Sequence, residues 1–298
     1  MSDTLINLQR RKQSAGDLAS VVRTMKAMAT SNITQYEMAV HSLQDYYRTI
    51  SLGIHACFKK EGISLVSKKH NERKSLSVIV IFGSDQGLAG RFNEAISLYA
   101  QNILKEIHGE QEIWAVGERV YLLLLDAGLS PTRCFSVPSS VSAITPLVNE
   151  LLIKSEEYRE KNHFYSFHIF HNAPSQVPNY LQEGQQLFPP NKKWENEITN
   201  MEWPSQNVPQ VIGGTESTLR ILIREYLFVS LYKAIAESLA SENASRLEAM
   251  GRAEKNIDEM LDELKRGYNR LRQSTIDEEL FDVIAGFEAL KKDDRYTS

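Results

Sequence analysis

Behind an apolar run lies the one stretch of this chain whose residue types could hold a phosphate. Residues 83–93 read GSDQGLAGRFN and follow Leu76–Phe82, LSVIVIF. Backbone N–H groups of a glycine-rich loop opening a helix can cradle a phosphate. The spacing here fits neither GxGxxG nor GxxxxGK(S/T), and the loop has no lysine. Gly83, Asp85, Gly87 and Gly90 therefore read as a structural turn, in which glycines serve the tight bend.

Other chemistry finds no constellation. His163, His168 and His171 cluster around one strand, but none sits at i and i+2 to another, and no cysteine or carboxylate completes a metal set. They read as surface or half-buried structural histidines. No serine stands in GxSxG, and neither Cys57 nor Cys134 has a base partner. Glu259, Asp262 and Glu263 read as a solvated helix face. The expectation is no catalytic residue, no metal ligand and no cofactor.

Composition bounds the rest. The 298 residues are 42% hydrophobic and 24% charged, which allows a buried core. A net charge of −4 without a dominant basic block argues against nucleic-acid binding. Two cysteines make no disulfide framework and suit a reducing compartment. No signal sequence opens the chain, and no run approaches ~18 uncharged apolar residues, so no transmembrane segment is expected.

The elements that must position these residues fall into three groups. From 76 to 171, short apolar strands alternate with helical stretches: 76–82, 113–116, 134–137 and 164–171 against 92–107, 118–127 and 141–161. That alternation predicts parallel pairing in a Rossmann-like α/β domain. Residues 172–212 hold six of the nine prolines and read as a hairpin plus irregular loop. The third group is two long helices, one at each end of the chain.

Residues 216–290 contain no proline. Leu247, Leu261 and Tyr268 share one heptad phase, with Glu254 the exception, while Met250, Ile257, Leu264 and Leu271 share the other. This alternating three-and-four spacing is a coiled-coil seam. The N-terminal stretch, about 3–57, mirrors it. Val22, Ala29, Tyr36, Leu43 and Ile50 are one phase; Leu18, Met25, Asn32, Ala39 and Tyr46 are the other. The expected architecture is α-rich α/β: a long antiparallel two-helix coiled coil around a central α/β domain. Its parts are a shaft helix over 1–58, a linker over 59–75, the α/β domain over 76–214 and a second shaft helix over 215–298. At ~1.5 Å per residue the last helix outruns the first by ~30 Å, from about Arg272 onward. That overhang carries Ile276, Leu280, Phe281, Val283, Ile284, Phe287 and Leu290. An unpaired apolar helix end marks an interaction site, with Ile276 and Leu280 among its contacts. Lys265, Arg266, Arg270 and Arg272 form a basic band beside it, near which antiparallel pairing would bring Arg10, Arg11 and Lys12. Such a band is surface charge or a contact for acidic partner loops.

Five segments together resemble the gamma subunit of F-type rotary ATP synthases. TMKAMATSN (24–32) is similar to its N-terminal shaft motif AMxMVAxSK, and GSDQGLAGRFN to its S-(D/T)-RGLCGGFN loop. SQVPNYLQEGQQLFP (175–189) is similar to its SQxP…LLP segment. LASENASRLEAM (239–250) and YNRLRQSTIDEEL (268–280) resemble its LASExxARMxAM and YNxxRQAxITxEL. The segments run in family order across nearly the whole chain. Gln86, Ala89, Arg91 and Asn32 depart from the family's arginine, cysteine, glycine and lysine, and NVPQVIGG (207–214) replaces an aromatic strand. These departures point to a divergent branch such as the alternative ATPase complexes.

The resemblance implies a central rotor stalk without an active site. It couples ion flow through a membrane c-ring to ATP synthesis or hydrolysis in a ring of alpha and beta subunits. An epsilon subunit binds at its foot. The protein would be peripheral, on the cytoplasmic face of a prokaryotic membrane. Met25 and Lys26 match the N-terminal shaft motif, and Arg272 and Gln273 match the family's RQ pair; all four are expected to meet the catalytic ring. The competing reading is a nucleotide-binding regulatory protein with a coiled-coil dimerisation arm. A free-standing coiled-coil scaffold is a third.

Overall fold

A computed structural model describes residues 4–61, 76–161, 165–176, 179–207, 209–212 and 214–293. Most of the expected linker, 62–75, and His163 lie outside them. In chain order the elements are α1 (Leu5–Ser42), α2 (Gln44–Glu61), β1 (Leu76–Phe82), α3 (Phe92–Leu104), β2 (Glu110–Val116), α4 (Glu118–Asp126) and β3 (Arg133–Phe135). There follow α5 (Ile144–Lys161), entered through a 3₁₀ turn, then β4 (Tyr165–Pro174), β5 (Tyr180–Phe188), α6 (Lys192–Thr199) and α7 (Thr215–Asp293). Two compact units result. One takes residues up to Ala27 and from Met250 on; the other takes Met28–Ala249.

The larger unit is built on a five-stranded sheet of order β3-β2-β1-β4-β5. β3, β2, β1 and β4 are parallel, while β5 returns antiparallel to β4 as a hairpin. β1 is buried along its whole length, which is why it reads as an unbroken apolar run and not as alternation. Val78, Val80 and Phe82 face one core with Trp114, Ile169, α5 and the Leu231–Ala240 stretch of α7. Ile79 and Ile81 face the other, with Ile96 and Ala100 of α3 and Val120 and Leu124 of α4. A third cluster joins Ile50, Ile54 and Phe58 of α2 to Trp194 and Ile198 of α6 and Leu219 and Tyr226 of α7.

Local signals set the element ends. α4 closes on Gly128 at φ 78, where the Gly128 and Leu129 amides donate to Leu125 and Leu124, a Schellman ending. α6, inside the stretch expected to be irregular, starts on Asn191, whose side chain accepts from Trp194 N–H at 2.8 Å. The N-terminal helix is not continuous over 3–57. It breaks at Leu43, whose amide donates to Val40 three residues back while the Ser42 hydroxyl donates to the Ala39 carbonyl. A tightened turn plus a competing side-chain bond interrupts the α-helical ladder.

In the smaller unit α1 and α7 run antiparallel. Ala19 and Val22 pack with Met250 and Ile257; Leu8 and Ala15 pack with Leu264. The C-terminal heptads stand as expected. On α1 Val22, Ala29 and Tyr36 of the first phase are buried, but Leu18 of the second phase is exposed, as is Tyr46 on α2, and Ala19 takes the seam place expected of Leu18.

Candidate functional site

The loop after β1 is a structural knot. Ser84 N–H donates to Asn93 Oδ1 at 2.9 Å, Asn93 Nδ2 donates to Ser84 Oγ at 2.8 Å, and Ser84 Oγ donates to the Gln86 carbonyl at 2.8 Å. The Asp85 carboxylate accepts from Glu118 N–H, at the start of α4, and from Val137 N–H. Across the loop, the Ser245 hydroxyl of α7 donates to the Ala89 carbonyl at 2.6 Å. A β-carbon on Gly83 would stand 2.4 Å from Val120 Cβ. Gly90 has φ 59, and Gly87 would meet the Arg119 guanidinium at 3.2 Å. Ser84 N–H is thus spent on Asn93, and the acidic Asp85 side chain holds the entry to α4. Asn93 closes the loop's own motif segment, whereas Ser245 comes from the LASENASRLEAM segment on α7, and its pairing with the loop is not readable from the loop alone.

The remaining polar candidates are structural too. Burial holds His168 down to about 4, and its Nε2 lies 3.0 Å from Ser166 Oγ. His171 departs from the expected surface or half-buried setting. It is buried, with Nε2 3.0 Å from Glu237 Oε2 on α7, because that helix covers this face of β4. Cys57 is buried; Cys134 is exposed, and burial together with Asp85 and Glu118 pushes its thiol up. Among the described residues no three His, Cys, Asp or Glu side chains group as a metal site.

Much of the LASENASRLEAM segment works inside the fold. Glu242 is buried and paired with Arg246; burial pushes its carboxyl up against the pull of that guanidinium. Asn32 Nδ2 donates to Asn243 Oδ1 at 3.3 Å, so the polar seam residue of α1 is met by another on α7. Such a pair fixes register at some loss of stability.

On the smaller unit, Met25 is half-buried at the seam beside the Ala19–Met250 cluster. Lys26 donates to Glu254 Oε2, and Arg23 Nε donates to Glu254 Oε1 at 2.9 Å. The acid that interrupts the heptad therefore has two cations from the opposite helix. Arg272 and Gln273 are exposed, just past Tyr268 and Leu271, the last apolar side chains of the Leu8–Leu264 cluster among the described residues. Beyond them Ile276, Leu280, Phe281, Val283 and Ile284 are between 46% and 70% exposed. The side chains of Phe287 and Leu290 lie outside those described. Lys265, Arg266, Arg270, Arg10, Arg11 and Lys12 are exposed, at the level where Leu8 and Ala15 pack on Leu264.

The Lys26 and Arg23 donors hold the Glu254 carboxyl below the usual carboxylate range. A depressed acid contributes stability above its unfolded pKa of about 4.3, lost as pH falls through its folded value. Wild-type chain should therefore melt above Glu254→Gln at neutral pH, and the two melting temperatures should converge as pH drops below about 4. A gap that widens on acidification contradicts the pairing.

A family model described as ATP synthase matches residues 4–290. The chain belongs to the ATP synthase family. Among curated relatives, an ATP synthase gamma chain of Geobacter metallireducens is 28% identical, the match covering 97% of this chain and 99% of the relative. One of Clostridium acetobutylicum is 24% identical over 96% and 98%. Among solved structures, a chain of the Euglena gracilis mitochondrial ATP synthase aligns with TM-score 0.64 and 14% identity, covering 96% of this chain and 94% of its own. A chain of the Tetrahymena thermophila central stalk and c-ring aligns with TM-score 0.57 and 18% identity, covering 78% of this chain and 99% of its own. At these identities the structures establish the shared fold. The ATP synthase family fold accordingly includes both the paired end helices and the central sheet.

Proposed function

We propose that this chain is the central rotor stalk, the gamma subunit, of an F-type ATP synthase. On this reading it couples ion movement through a membrane c-ring to ATP synthesis or hydrolysis in a ring of alpha and beta subunits. The observation that carries the reading is the end of α7. It extends past the last residue packed on α1 with five large apolar side chains open to solvent. A surrounding sleeve is the environment that such a helix end calls for. The chain itself holds no active site, and its elements act as parts of one shaft: 1–58 and 215–298 as the rod, 76–214 as the domain meeting the epsilon subunit and c-ring. Among the described residues no helix is long and apolar enough to cross a membrane. The protein then sits peripherally at the cytoplasmic face.

Torque on this reading is differential contact. Met25, Lys26, Arg272, Gln273, Ile276 and Leu280 present different faces to successive catalytic subunits and bias each toward a different state. Arg272→Ala with Gln273→Ala should then reduce ion pumping per ATP hydrolysed in the reconstituted complex. The melting temperature of the isolated chain should hold, since exposed substitutions shift stability by less than about 0.5 kcal/mol. A destabilised chain with normal coupling would remove both residues from the contact surface. The pure chain alone should show no ATP turnover; turnover free of partner subunits would overturn the reading.

A further inference from the structure

α1 carries two apolar stripes, and only one of them is used. Leu8, Ala15, Ala19 and Val22 are buried against α7. Leu18, Val21 and Met28 are more than half exposed, and Met25 lies half-buried between the two sets. At 3.6 residues per turn the stripes lie roughly 100° apart around the helix. The exposed stripe has the larger side chains. Packing by apolar area alone would favour it, and the heptad pattern likewise places Leu18 and Met25 in the seam.

The seam offers little steric resistance to the alternative. Ala15, Ala19 and Ala253 are small, Met25 and Met250 are adaptable, and a β-carbon on Gly16, Gly251 or Gly267 would meet nothing within 4 Å. A local stutter in the heptads is enough to rotate one helix against its neighbour. Charge separates the two arrangements. Glu254 sits in the seam with its side chain one-fifth exposed, and both Arg23 and Lys26 reach it; Arg23 Nη2 also lies 3.6 Å from Asp258 Oδ1. Lys26, seven residues from Ala19, lies in the used stripe, and Arg23 flanks it on the side away from Leu18 and Val21. Turning α1 to bury the other stripe would carry both cations off and leave Glu254 in an apolar seam without a partner, which is strongly unfavourable.

We propose that Arg23, Lys26 and Glu254 are positioning residues that select which stripe of α1 faces α7. They thereby set where Arg10, Arg11 and Lys12 stand around the shaft relative to Lys265, Arg266, Arg270 and Arg272. A basic surface assembled from two helices has a defined angular position only if the helices have a defined phase. The selection stands on the unit's own geometry; its consequence for coupling rests on the rotor reading.

Paired cysteines in the full chain, with Cys134→Ser, test it. Val22→Cys with Ile257→Cys reports the observed phase, and Val21→Cys with Ile257→Cys reports the rotated one. In the otherwise native chain the first pair should oxidise and the second should not. Glu254→Leu or Glu254→Lys should raise the second disulfide by roughly tenfold or more, a change of at least about 1.4 kcal/mol in the phase equilibrium. Lys26→Glu with Arg23→Glu should restore the native pattern in the Glu254→Lys chain. A purely packing role predicts no such rescue. If the Val21 pair stays reduced in every Glu254 variant, the inference is wrong. In the assembled complex, Glu254→Lys should lower ion pumping per ATP. If wild-type chain fails to support a catalytic ring while the disulfides behave as expected, the rotor reading falls and the selection by charge stands.

Discussion

Gly83→Ala is expected to destabilise the sheet-bearing unit by about 2–3 kcal/mol, the range of forced overpacking. The added β-carbon would stand 2.4 Å from Val120 Cβ, 2.5 Å from Val120 Cγ1 and 2.8 Å from Asn93 Oδ1. Val120 Cβ is fixed to the backbone of α4, so no rotamer change relieves the clash. Either α4 moves off the sheet, where Val120 and Leu124 are buried against Ile79 and Ile81, or Asn93 gives up its bonds to Ser84. Gly16→Ala makes the control. It lies in α1 with open space around its would-be β-carbon and should stabilise the helix by about 0.5–1 kcal/mol. Urea unfolding followed by the fluorescence of tryptophans such as buried Trp114, in the same unit as Gly83, reads the first effect directly. A neutral Gly83→Ala would mean that the loop does not pack on α4 as described, and a ligand-holding loop would return to consideration.

Legibility followed the physics of each element. β1 was readable because burial on both faces demands an apolar run, and the α7 seam because heptads need no tertiary information. The loop's departure from the phosphate-binding spacings was readable in its residues. The bonds that tie the loop were not: Ser245 is 156 residues from Ala89 in sequence and meets the loop only once α7 is packed. α6 was missed because an eight-residue helix with two buried side chains, Trp194 and Ile198, carries too short a period to stand out among prolines. On α1 the heptad spacing pointed to Leu18, seven residues from Met25. The structure chose Ala19, and Arg23 and Lys26 on Glu254 supply a reason that lies across two helices 231 and 228 residues apart in sequence.

The same division separates what the family motifs do. Glu242, Asn243 and Ser245 of the LASENASRLEAM stretch are spent on α7 itself, on Asn32 and on the Ala89 carbonyl. Engaged within the fold, they are poor candidates for partner contact. In YNRLRQSTIDEEL, by contrast, Tyr268 and Leu271 pack in the seam, and Arg272, Gln273, Ile276 and Leu280 are exposed. On the rotor reading, one motif contains both seam residues of the shaft and residues that meet a partner.

Residues 276–285 are therefore expected to exchange their amide hydrogens quickly in the isolated chain and slowly in the assembled complex. α7 continues through them, but Ile276, Leu280, Phe281, Val283 and Ile284 are exposed and the packing on α1 ends at Leu271. A single helix without tertiary contacts opens readily, since most helical stability in proteins comes from packing an apolar face. Enclosing four of these side chains in a sleeve would contribute on the order of 6–12 kcal/mol before ordering is counted. If a quarter of that survives, exchange slows by roughly ten- to a hundredfold. The stretch from Met250 to Leu264, whose Met250, Ile257 and Leu264 are buried on α1, should be protected in both forms and serves as the internal reference. Hydrogen exchange with mass spectrometry on the free chain and on the complex with the catalytic ring decides the matter. Strong and equal protection of 276–285 in the free chain would mean that the helix end is already covered by its own protein, and the sleeve argument for a rotor would fail with it.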